Sequence, residues 1–217
     1  MGRKGNLIGK KETAVGLPKG TVPAPTGAQR LIQPLNNMYV GFAYKNSDYP
    51  KVFHGFTHYG ADYWGDRTVY ASGDGKVLKT GYDSTFGNTV IVRYDKAFVH
   101  GAGKVMDLVA RYYHLSSIRC RAGQSTTKDT ILGVTGTTGK YSTGIHLHFE
   151  LSTAVEDPYG VPGIYNTNML HWAKDRTIDP AWVLHTKPSL PDRQSLKSAG
   201  TGYQRGGKSE DWSFPTV

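Results

Sequence analysis

His146-Leu147-His148 sets two imidazoles at i and i+2, and residues so spaced on a strand face the same side of a sheet. Far upstream, His58 and Asp62 stand four residues apart and can also face one way. Two imidazoles and one carboxylate from these positions would hold three corners of a zinc tetrahedron and leave the fourth open for water. Zinc in such a site lowers the pKa of that water toward about 7. The residue types therefore point to zinc-assisted hydrolysis. His54, four residues before His58, competes with it as a ligand. His114 closes the run Tyr112-Tyr113-His114-Leu115 and would project beside the same metal if its strand neighbours that of His146 and His148.

The elements that must position these groups read as strands. Runs rich in β-branched and aromatic residues predict strands over 39–44, 68–72, 75–81, 88–95, 104–115, 130–136 and 146–152. Turn signals separate them: Asp74-Gly75, Gly87-Asn88, Gly101-Ala102-Gly103 and the Gly136–Gly139 stretch. Residues 96–107 read as a hairpin extension. Helix is scarce: a short one is expected over 168–174 with Asn168 as cap, and Asp179-Pro180 offers a cap followed by proline at the first helical position. Residues 1–37 and 186–217 are rich in Gly and Pro and are read as an arm or linker and a flexible tail around a body at 38–185.

The chain has 217 residues and a net charge of +9. Residues 1–38 carry six Lys or Arg against one acid, so the charge sits largely in the N-terminal segment. Such an arm could touch an acidic polymer or simply keep the chain in solution. The single cysteine, Cys120, excludes an internal disulfide and a Cys-rich zinc site. No apolar run approaches the roughly 20 residues of a membrane span. The basic N-terminus has no apolar stretch behind it, so no secretory signal is expected. The body shows no aromatic-basic module of the kind that stacks bases, which argues against a nucleic-acid partner.

The motifs, taken in order, resemble the lysostaphin-type (LytM-like) zinc endopeptidases of bacterial peptidoglycan. The resemblance spans about residues 38–153 and rests on Gly41–Tyr44, His58-Tyr59-Gly60-Ala61-Asp62, Val69–Val77, Gly87–Val92, Tyr113-His114-Leu115-Ser116, Gly133–Gly139 and Ser142–Glu150. It implies a mainly β fold of antiparallel sandwich or open barrel-like sheets, with the metal in a groove. It also implies one zinc per chain held by His58, Asp62 and His148, with His146 and His114 as unligated catalytic histidines. His146 is preferred here as the base, with the other histidine donating to the oxyanion. The implied substrate is the peptide part of peptidoglycan, cut at a D-alanyl cross-link or a glycine-rich bridge.

A non-catalytic relative that binds peptidoglycan or activates a partner is the competing reading, and the complete set of five residues argues against it. Without a leader, a wall-cutting enzyme would reach its substrate as a phage lysin released through a holin or as a virion component. The basic arm would then meet an anionic wall polymer or a virion protein. Tyr63, Trp64, Tyr82 and Tyr141 lie near the motifs as groove or packing residues. Asn36 and Asn37 are expected in an ordinary polar turn, and His100, His171 and His185 are expected to be structural or on the surface.

Overall fold

The structure, a computed structural model, describes residues 24–46, 49–52, 57–156, 158 and 176–185. Glycine turns and β-branched runs resolve into strands β1 (Leu31–Ile32), β2 (Met38–Val40), β3 (Ala61–Gly65), β4 (Thr68–Tyr70), β5 (Gly75–Asp83), β6 (Gly87–Val99) and β7 (Lys104–Leu115). They continue as β8 (Ser117–Ile118), β9 (Ser125–Thr126), β10 (Ile131–Val134), β11 (Leu147–Ser152), β12 (Thr177–Ile178) and β13 (Leu184–His185). Helix is confined, among the described residues, to α1 (Tyr49–Val52) and a 3-10 turn at Pro180–Trp182. The fold is thus mainly antiparallel β. No described helix is long and apolar enough to cross a membrane.

The main sheet runs β2-β3-β11-β7-β6-β5-β9, with β12 also pairing β11. A smaller sheet runs β4-β10-β8, and β1 pairs β13 in parallel. Strand alternation sorts the main sheet into two faces. Leu147, Phe149 and Leu151 of β11 are buried in the core with Tyr112, Ala110 and Leu108 of β7, Val90, Val92 and Tyr94 of β6, and Leu132 of β10. His148 and Glu150 therefore face the other way, and that face carries the chemistry.

The hairpin expected over 96–107 forms the end of the long β6–β7 pair, with Phe98 opposite Val105 and Val99 opposite Lys104. Asp179 caps its turn as expected, accepting from the Ala181 N–H at 2.9 Å. Three features differ from the sequence reading, the first being that the strand expected over 39–44 ends at Val40. The stretch 61–65 forms β3, which the strand expectations omit: its burial does not alternate, so it lacks the period-2 signal. Residues 31–35 pack inward, although they fall in the stretch read as arm or linker. Leu31 and Leu35 are fully buried and join the core, because β1 finds a partner 153 residues downstream in β13. The helix expected over 168–174 lies outside the described residues.

Candidate metal centre

Three adjacent strands of the main sheet bring the chemistry together. His148, on β11, is paired with Asp62 of β3 on one side and with Tyr113 of β7 on the other. Cross-strand partners share a face, so the Asp62 carboxylate lies directly beside the His148 ring. His58 precedes β3, and its Nδ1 lies 2.9 Å from the Ala43 carbonyl oxygen. Donation of Nδ1–H to that carbonyl leaves Nε2 with a bare lone pair. Tyr49 of α1 stacks on the His58 ring, with centroids 4.1 Å apart. Tyr113 stacks on His148 from the other side, and Phe86 in turn on Tyr113. Gly60 is required here: a Cβ would come within 2.5 Å of the Phe149 oxygen and 2.7 Å of His148 Nε2.

Three ligand atoms converge. His58 Nε2 lies 3.1 Å from Asp62 Oδ1 and 3.2 Å from His148 Nδ1, and the last two atoms are 2.9 Å apart. A tetrahedron with zinc bonds of about 2.0–2.1 Å has edges of about 3.3 Å, so these separations are close to those of three zinc ligands. The bare nitrogen of His58 faces a carboxylate oxygen, an arrangement that favours a cation between them. His58 and Asp62 are buried, and His148 is half-buried. Burial pushes the Asp62 carboxyl upward, but the imidazoles of His58, His146 and His148 outweigh it and hold the group well below the usual carboxylate range. Burial lowers His148, so the ring is held neutral, as a ligand must be. The donor set fits zinc.

Two further histidines border this triad. His146 precedes β11, where its N–H donates to the Gly136 carbonyl at 3.1 Å. Its Nδ1 lies 2.7 Å from the Gly144 oxygen and its Nε2 lies 3.6 Å from Asp62 Oδ1. His114 sits at the end of β7, with Nδ1 2.8 Å from the Thr138 oxygen. Its ring centroid is 5.0 Å from that of His146 and 6.2 Å from that of His148. Each ring donates Nδ1–H to a main-chain carbonyl and keeps Nε2 free as an acceptor. Burial, then the neighbouring His146 and His148, lowers His114 to about 3.

Regular alternation would turn His114 away from the face that Tyr113 occupies. A bulge prevents this. Val90 pairs with Tyr112 and Asn88 with Leu115, so Thr89 alone faces both Tyr113 and His114. His114 takes a left-handed φ of 62°, which brings its ring round to the metal cluster.

Residues 56–159 match the sequence model of the family described as Peptidase family M23. This segment is an M23 peptidase domain. Similar curated proteins are the peptidoglycan DD-endopeptidases ShyA and ShyC of Vibrio cholerae. ShyA is 36% identical over 83 residues, which is 38% of this chain and 17% of that protein. ShyC is 30% identical over 95 residues, covering 43% of this chain and 19% of that protein. The chain therefore spans less than a fifth of these relatives' length. Among solved structures, the catalytic domain of lysostaphin from Staphylococcus simulans is 26% identical, covering 67% of this chain and 90% of that one at a TM-score of 0.47.

Within the M23 domain, the five residues singled out from sequence, His58, Asp62, His114, His146 and His148, stand on one patch. The competing candidate His54 lies outside the described residues, and Asn37, expected in a polar turn, donates through Nδ2 to the Asp66 carboxylate at 3.1 Å. The aromatic neighbours Tyr49 and Phe86 carry no sequence signal beyond that of an aromatic residue in a turn-rich stretch. His100 and His185 are buried together, with ring centroids 5.0 Å apart, and His171 lies outside the described residues.

Proposed function

We propose that this chain hydrolyses peptide bonds of bacterial peptidoglycan with zinc held by His58, Asp62 and His148. The observation that carries the reading is the convergence of three ligand atoms beside two histidines whose Nε2 lone pairs are free. Bound there, zinc would supply Lewis acidity and lower the pKa of a water. The protein's own groups then divide the work. His114 stays neutral because of its burial, so its Nε2 is an acceptor for the proton of the attacking water. In this reading His114 is taken as the base in place of His146, the residue preferred from sequence. His146, with its Nδ1–H committed to Gly144, would then donate to the oxyanion formed when the amide is attacked only once its Nε2 also carries a proton. Gly144 and Thr138 fix the two rings through their carbonyls.

The substrate we propose is the cross-link between D-residues, because the similar Vibrio proteins are named DD-endopeptidases. The site of action would be the bacterial cell wall. Delivery as a phage lysin or a virion component belongs to the same proposal, and proteomics of purified particles tests the virion form. The enzymatic reading is tested by release of soluble fragments from dye-labelled peptidoglycan. Release should stop with a chelator and return with added zinc; release indifferent to the chelator contradicts it.

A further inference from the structure

The bulge that delivers His114 needs something to hold it. Where β6 and β7 fall out of step, Asn88 and Leu115 are register partners, yet the Asn88 N–H does not close a ladder bond with β7. The Thr138 hydroxyl stands between them. It accepts from the Asn88 N–H at 2.9 Å and donates to the Leu115 carbonyl at 2.8 Å. One hydroxyl thus bridges both strands at the point where the extra residue is inserted. The Asn88 side chain reinforces the bridge, its Nδ2 donating to the same Leu115 oxygen at 2.9 Å. The main-chain carbonyl of Thr138 meanwhile accepts from His114 Nδ1. Side chain and main chain of one residue therefore hold both the backbone and the ring of His114.

The surroundings are built for this insertion. Gly87 has φ 70°, and a Cβ there would come within 2.2 Å of Thr138 Oγ1. Gly139 has φ 89°, and a Cβ there would come within 2.5 Å of the Gly87 nitrogen and of the Thr85 oxygen. The loop can enter only because both positions lack a side chain. His114 itself holds a left-handed conformation that a non-glycine residue keeps only when its surroundings impose it.

We propose that Thr138 is a positioning residue of the hydrolytic site: its hydroxyl, inserted between Asn88 and Leu115, locks the bulge that presents His114. The proposal rests on the reading of His114 as a catalytic group. Thr138→Val keeps the shape and removes the hydroxyl, while Thr138→Ser keeps the hydroxyl. Losing such an outer-shell partner typically lowers activity by about 10–100-fold. Thr138→Val in the full chain should lose turnover on peptidoglycan in that range, with zinc affinity and KM unchanged, and Thr138→Ser should restore it to within about 3-fold of the parent.

A second readout needs no activity: nitrogen NMR of the His114 ring in the metal-free protein. The parent and Thr138→Ser should show one tautomer, with the proton on Nδ1, and Thr138→Val should show exchange between two. A single unchanged tautomer in Thr138→Val overturns the proposal, as does a loss of zinc affinity that matches the loss of turnover. If His114→Ala remains fully active while Thr138→Val shows tautomer exchange, the catalytic reading of His114 fails and the clamp stands.

Discussion

Acid should destabilise this domain through a histidine pair outside the metal cluster. His100, in the β6–β7 turn, and His185, in β13, are buried edge to face, and His185 Nδ1 donates to the Leu31 carbonyl. Burial lowers His100 to about 3 and His185 to about 4. Both are thus neutral in the folded protein at pH 5, whereas in the unfolded chain their pKa is about 6.5. Between the folded and unfolded values the unfolded state binds more protons, so stability falls as pH drops from about 6.5 toward 3–4. Because pH 5 lies about 1.5 units below the unfolded pKa of each group, keeping it neutral costs about 2 kcal/mol, or about 4 kcal/mol for the pair. That is a large part of the roughly 5–15 kcal/mol stability of an ordinary domain. Urea unfolding of the metal-free protein at pH 7.5 and pH 5 measures the loss. The same comparison in the His100→Leu/His185→Leu variant removes the pair but leaves the other histidines in place. The variant should lose about 4 kcal/mol less than the parent between the two pH values. Equal losses in both proteins would refute the reasoning.

The site and fold make further predictions. His148→Ala should abolish stoichiometric zinc binding, whereas His146→Ala should keep zinc and lose about 10²–10⁴-fold in turnover; metal analysis beside a peptidoglycan-release assay separates the two. Gly87→Ala should cost about 1–3 kcal/mol, read from urea midpoints, because the new methyl meets Thr138 at a left-handed φ. Leu31→Ala should cost about 2–5 kcal/mol by the same measurement, since Leu31 is a fully buried core residue.

What the sequence reveals follows from what is local. The His146–His148 spacing and the strand over 104–115 are visible because period and turn signals lie within a few residues of them. The Asp179-Pro180 cap is legible for the same reason. β3 escapes, although it carries Asp62, because its inner residues are buried on both faces and show no alternation. The packing of Leu31 and Leu35 escapes because nearby prolines look like a linker, and the partner strand β13 lies far along the chain. The bulge at His114 is the deepest omission. Nothing in Tyr113-His114-Leu115 announces a left-handed residue; the contacts at the bulge come from Thr138, in the loop between β10 and β11, and from the space left by Gly87 at the start of β6.

The central claim is zinc-dependent cleavage of peptidoglycan cross-links, and mass spectrometry of the digestion products tests it most directly. Cross-linked peptidoglycan is incubated with the zinc-loaded protein, with the same protein plus chelator, and with His148→Ala. The account predicts uncross-linked stem peptides, with masses that place the cut between D-residues, only in the first sample. Intact cross-links in all three, with zinc occupancy confirmed, would contradict it.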